Sequence, residues 1–207
     1  EYYYEFQARF NYHMGNLDKT IEYAQKSIDM CTTWGITTNM SSVYIKTISE
    51  LSLKKITYKE VYDFCKQLFD QYLYKLGRSA CVNFAEICIN SGNMIEGQEL
   101  YDLGMSFKAK IDTILLQSKY KYVDALLSSG EKRINKLNDL LSKYSNIEDK
   151  KIKCKTFYTI ANYYFERDNY IDALRYYIFA LDYLKKMAYN VPAEKKQEYL
   201  SFHDRSE

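Results

Sequence analysis

The sequence predicts an all-α fold built as a stack of about five antiparallel helix pairs. Three observations carry this. One proline and seven glycines in 207 residues are too few for a chain of short strands and tight turns, so long helices are favoured. Twenty-three tyrosines and ten phenylalanines lose side-chain freedom in helices and are accommodated there only by packing, which predicts large aromatic contacts between elements. Small residues also recur at one fixed spacing along the chain.

That spacing defines each element. Ala161 is followed twelve residues later by Ala173 and seven later by Ala180. Ala85, Gly97 and Gly104 repeat the interval, as do Ala8, Thr20 and Ser27. Two helices joined by a tight turn cross where their backbones are closest, and compact side chains on both permit the approach. A seven-residue step is about two helical turns, so both small residues of the second helix face the same way. Tyr4, Cys81 and Phe157 each stand four residues before the first small residue, and Leu17, Met94 and Tyr170 open the second helices. Gly15-Asn16, Gly92-Asn93 and Asp168-Asn169 occupy the turns, where the first residue tolerates a left-handed backbone and asparagine caps the next helix. Asn93 with Glu96, and Thr57 with Glu60, read as capping boxes. Two fainter units keep the offsets: Ser49, Val61 and Leu68, then Val123, Asn135 and Ser142 around Ser128-Ser129-Gly130. Units therefore begin near residues 1, 42, 78, 116 and 154.

This pattern resembles the tetratricopeptide repeat family, most closely at Phe157, Ile160, Ala161, Tyr164, Tyr170, Ala173, Tyr177 and Ala180. The resemblance covers residues 1–187, with units near 1–34, 42–75, 78–111, 116–149 and 154–187. It implies a right-handed superhelical solenoid. The units exceed the family's usual 34 residues and lack its closing proline, which predicts longer helices with irregular joints. Long units of this kind resemble those of large bacterial signalling and regulatory proteins. Residues 188–207 are expected to form a C-terminal capping or connector segment, with Pro192 opening a helix over 193–203 that carries Tyr199, Leu200 and Phe202.

Composition narrows the function classes. With 47% apolar and 27% charged residues the balance is that of a soluble globular chain. A formal net charge of +2 argues against strong nonspecific attraction to nucleic acid or anionic membrane, and no run of 18 apolar residues is present to span a bilayer. The sequence starts without methionine or a charged-then-apolar leader, inside a helical pattern, which reads as a piece of a longer protein. The five cysteines, at 31, 65, 81, 88 and 154, form no Cys-x-x-Cys pair and sit in apolar helical contexts. That reads as core packing in a reduced, cytoplasmic setting.

Signatures of catalysis are scarce. His13 and His203 belong to no metal-binding spacing, and no phosphate loop, dinucleotide fingerprint or nucleophile elbow occurs. No catalytic, cofactor-binding or metal-binding residue is expected, and no cofactor. Cys81 and Cys88, seven apart on one face, read as core rather than a redox pair. Asn39-Met40-Ser41 fits a glycosylation sequon, a pattern common by chance. Residues 116–155 hold ten Lys or Arg against five Asp or Glu, a possible nucleic-acid segment. The plainer reading is a solvated face and a charged joint between units, since the lysines at 150–155 alternate with no aromatics.

A binding groove is the preferred reading. In the resembling family the first helix of each pair lines a concave face where partner segments lie. Projecting the register inward gives Tyr2, Glu5, Arg9, Tyr12 and His13; then Lys46, Glu50 and Lys54; then Val82, Glu86, Ile89 and Asn90; then Tyr120, Asp124 and Leu127; and finally Lys155, Tyr158, Asn162, Phe165 and Glu166. Glu50, Glu86 and Asp124 hold equivalent places and predict an acidic ridge suited to a basic or mixed peptide, with Tyr12, Tyr120, Tyr158 and Phe165 as aromatic anchors. The lysine–asparagine pair by which some family members clamp chaperone tails is missing from every unit. The expected partner is thus a protein or peptide segment in the groove, and flanking domains of the same chain are candidates too. Membrane is excluded and nucleic acid disfavoured. The alternative is a peptide-pheromone receptor domain of a Gram-positive regulator, and a further alternative is nucleic-acid binding through the basic segment 119–155.

Overall fold

The computed structural model describes residues 2–37, 39–107, 113–143, 149–189, 191–196 and 199. Among these the chain is helical, with no strand, and no helix is long and apolar enough to cross a membrane. The chain divides into two compact units: Glu1–Leu73 with Pro192–Glu207, and Tyr74–Val191.

In the first unit, α1 (Tyr2–His13) and α2 (Leu17–Thr33) form a pair, and α3 (Met40–Ser52) and α4 (Tyr58–Asp70) follow. Helix α3 packs against both α1 and α2. Ala8, Thr20 and Ser27 are completely buried, as the spacing predicts. Ala8, Ala24 and Ile45 form a core with Tyr12, Tyr23 and Tyr44 packed on it. The buried Ser42 hydroxyl donates to Ser27 Oγ at 3.0 Å, satisfying two groups that would be costly to bury alone.

The second unit contains α5 (Tyr74–Asn90), α6 (Met94–Ser106), α7 (Ile114–Leu126), α8 (Gly130–Lys143), α9 (Lys150–Phe165) and α10 (Tyr170–Ala188). Consecutive helices pair as α5 with α6, α7 with α8, and α9 with α10, and the first helices α5, α7 and α9 lie side by side. Ala85, Ala161 and Ala173 are at most 1% exposed. Gly97 and Gly104 show directly why these positions are small. A Cβ on Gly97 would lie 2.5 Å from Ile89 Cγ1 and 3.2 Å from the Ala85 carbonyl oxygen. One on Gly104 would lie 2.0 Å from the Tyr120 hydroxyl and 2.9 Å from Cys81 Cβ. The expected aromatic contacts join α9 to α10: Phe157 meets Tyr176, Phe179 and Tyr183, and Tyr164 stacks on Tyr176 with rings 10° apart.

Six helix ends close by one device. The amide of the residue after the left-handed position bonds back six residues, and the left-handed residue's own amide bonds back four, counted inclusively. This occurs at Gly15, Gly35, Lys54, Tyr72, Gly92 and Asp168, and it satisfies carbonyls that a helix end leaves open. Three of these residues are the turn residues predicted from sequence. Lys54 and Tyr72 adopt the same backbone with a side chain present, and nothing in their residue type announces it.

Several expectations change. Asn169 caps α10 through its side chain, but Asn16 and Asn93 make no side-chain cap, so Asn93 and Glu96 form no capping box. At these turns the next amide bonds the glycine carbonyl instead. Thr57 and Glu60 do form the capping box. In the fourth pair Asn135 and Ser142 are exposed, and Ile134, Leu137 and Leu140 are buried. Helix α8 starts at Gly130, inside the predicted turn and two residues earlier in the register than Leu17 and Met94 open α2 and α6, and its apolar face lies off the predicted register. Helices α5 and α9 each begin four residues before the predicted unit start, so Lys150 and Lys151 lie on a helix rather than in a joint. Residues 193–195 form one 3-10 turn, and most of the helix predicted over 193–203, with His203, lies outside the described residues. Ile171, Leu174, Ile178 and Leu181, which form one stripe of α10, are exposed.

Candidate functional site

In the first unit the predicted groove residues form a polar network. The Arg9 guanidinium bonds Glu5 Oε1 through Nε at 3.0 Å and Nη2 at 2.7 Å, and also donates to Ser41 Oγ. Asn39 donates to Glu5 Oε2 at 2.5 Å while its own oxygen caps α3. The sequon asparagine is therefore occupied in structure. Tyr12 packs on the Ala8 core and meets His13 edge-on, and His13 is exposed. Lys46 pairs with Glu50 one helical turn away at 3.4 Å, and Tyr2 and Lys54 are exposed.

In the second unit several predicted groove residues are core. Val82 and Ile89 are buried. Tyr120 is 5% exposed: its hydroxyl donates to the Arg78 carbonyl at 2.9 Å, and the Arg78 guanidinium sits 4.7 Å from its ring centre. Tyr120 fits there because Gly104 leaves room, so it is not an aromatic anchor for a partner. A helix in a stack has faces toward its own partner and toward the next pair, and helical periodicity alone does not separate them. Tyr158 is half-buried on the Tyr177 ring, and Asn162 Oδ1 accepts the Tyr177 hydroxyl at 2.5 Å. Asn90, Phe165 and Glu166 are exposed and Leu127 is half-buried.

The acidic ridge is neutralised residue by residue. Asp124 pairs with Lys136 of α8 at 2.8 Å, Glu50 with Lys46, and Glu86 with Lys155 across α7. Around Glu86 the balance is reversed. Lys155 and Lys151 stand on successive turns of α9, and Lys119 on α7 donates to Asn83 Oδ1 of α5 at 3.3 Å. Tyr122, buried beneath, shares a hydrogen bond with Thr159 at 3.2 Å, tying α7 to α9. Burial pushes the Glu86 carboxyl up, but Lys155, Lys151 and Lys119 outweigh it and hold it below the usual range. Burial also pushes the Lys119 ammonium down, aided by Lys155 and opposed by Asp149 and Glu86. Lys151 is pushed down to about 8, first by its surroundings and then by Lys155 and Lys119, against the pull of Glu86 and Asp149. Lys151 is exposed to solvent.

Sequence reading reached Lys155 but missed Asn83, Lys119 and Lys151 as one site. The available signal was the four-residue step from Lys151 to Lys155, which puts both on one helical face. It was hidden because residues 150–155 looked like a joint.

Burial, with help from Glu96, pushes the Cys88 thiol up to about 11, and Cys81 packs at the Gly104 crossing. No protein-family model, curated protein or solved structure matches the chain.

The depressed Lys151 has a stability consequence. Its folded-state value of about 8 lies below the ordinary 10.5, so between these pH values the unfolded chain binds more protons than the folded one. Stability should therefore rise as pH rises through that window. Lys151→Met should flatten this part of the profile and raise the melting temperature at pH 7. Urea unfolding followed by circular dichroism at pH 7, 9 and 10 checks it, and identical slopes for both proteins would refute the assignment.

Proposed function

We propose that the chain is a protein- or peptide-binding scaffold, a solenoid of the tetratricopeptide type whose first helices present the binding face. One observation carries the reading: α5, α7 and α9 form a continuous layer tied across by Lys119–Asn83, Tyr122–Thr159 and Lys155–Glu86. Such a layer is rigid and displays side chains from three helices on one face, as recognition of an extended segment needs. Phe165, 54% exposed at the end of α9, supplies an aromatic contact two turns along the helix from the half-buried Tyr158. The resemblance to long-unit bacterial regulators supports a role inside a larger signalling protein, as a binding and relaying module.

Selection from a peptide library followed by anisotropy titration tests this. A selected peptide should bind saturably, and Phe165→Ala should weaken it about tenfold, the scale of one interface hot spot. Ile171→Ala, at an exposed position on the second helix of the same pair, should leave affinity unchanged. If no peptide saturates, or both variants behave alike, the layer is not the binding face.

A further inference from the structure

We propose that Lys119, Lys151 and Lys155 together seat a side-chain carboxylate of a bound acidic peptide segment. The inference deepens the scaffold reading and rests on it, naming the chemistry of the partner.

Charge is the first ground. Among the described residues, three ammonium groups stand here with two carboxylates, Glu86 and Asp149. Lys155 takes Glu86. Asp149 is engaged in capping α9, accepting the amides of Lys151 and Ile152 at 3.0 and 3.2 Å. Lys119 has a neutral oxygen, that of Asn83, as its hydrogen-bond acceptor. Among the described residues the Lys151 ammonium has no hydrogen-bonded acceptor. Among the described residues the cluster is one negative charge short, and a single carboxylate restores the balance.

Position is the second ground. Lys119 comes from α7 and Lys151 and Lys155 from successive turns of α9, with Tyr122 and Thr159 fixing the two helices together. An arriving anion therefore meets donors on two helices already held together. The depressed values at Lys151 and Lys119 are what such crowding produces, and an anion relieves it.

The surroundings separate a carboxylate from nucleic acid. Single-stranded nucleic acid uses aromatic platforms between basic residues. Here Tyr120 and Tyr122 are buried, so neither offers its ring for stacking. The seat also differs from a terminal-carboxylate clamp built on a lysine–asparagine pair within one helix, because its lysines come from two helices.

The test uses the full chain and a fluorescein-labelled peptide carrying three glutamates among Gly, Ser and Leu residues, blocked at both ends so that no terminal carboxylate is present. At pH 7 it should bind at least tenfold more tightly than its glutamine counterpart. Affinity should fall as pH rises through about 8, where Lys151 loses its proton. Lys119→Met with Lys151→Met should erase the preference. Lys121→Met, exposed on the same α7, should retain it. The proposal is overturned if the glutamate and glutamine peptides bind alike, or if Lys121→Met is as damaging as the double variant. It is also overturned if a phosphoserine peptide or a twelve-nucleotide single strand binds more tightly. A library-selected neutral peptide that still binds while the glutamate preference is missing would leave the scaffold reading standing and remove only the seat.

Discussion

Replacing Ala173 with aspartate is expected to cost several kcal/mol and to abolish cooperative unfolding of the second unit at moderate temperature. Ala173 is 1% exposed at the α9–α10 pairing, and Ala161 opposite in the register is wholly buried. A carboxylate there loses its hydration and gains no cation. The nearby positions that the sequence spacing links to it are alanines, and an uncompensated buried charge or polar group is among the few changes that destabilise on this scale. The comparison is Ala173→Ser, which adds one oxygen that can bond the preceding turn and should cost far less. Circular dichroism melts of both variants decide the matter. Near-native melting of the aspartate variant would mean that the fifth pair does not cross at its small residues.

Gly104→Ala should destabilise by about 1–3 kcal/mol, the range for overpacking a filled core, even though alanine is the better helix former by about 1 kcal/mol. The added methyl would sit 2.0 Å from the Tyr120 hydroxyl and 2.9 Å from Cys81 Cβ. The hydroxyl has little freedom to move, because it is held by the Arg78 carbonyl and its ring lies under the Arg78 guanidinium. Tyr120→Phe alone should cost about 1 kcal/mol for the lost hydrogen bond. Combined with Gly104→Ala it removes the atom in the way, so the double variant should be more stable than the sum of the singles predicts. A double-mutant cycle by urea unfolding measures the coupling. Strict additivity would show that Tyr120 does not occupy the space at Gly104.

The two predictions differ in how legible they were. Ala173 stands in a pattern of alanines that the chain displays openly, and the crossing follows from the spacing. The Gly104–Tyr120 contact joins α6 to α7, across the boundary between pairs. There the register placed Tyr120 on the groove, and the structure buried it. Asn135 and Ser142 failed for a related reason: α8 begins inside the predicted turn, at Gly130, and a rotation of one residue, about 100°, turns a buried position outward. The candidate site was the least legible. Glu86 was found by its repeat position and read as part of an acidic ridge. Its sign as a binding surface is set by Lys119, 33 residues away, and by Lys151 and Lys155, 65 and 69 residues away.

The sequence by itself determined the helical class, the pairing of consecutive helices through small residues in the first, third and fifth pairs, and the left-handed turns at Gly15, Gly92 and Asp168. These depend on groups a few turns apart, where helical geometry fixes who meets whom. Only the tertiary structure decided which faces became core, which carboxylates were neutralised, and that three lysines from two helices gather around Glu86. Charge acts through space rather than along the chain, so the field at a site belongs to helices the sequence lists far apart and the fold brings together.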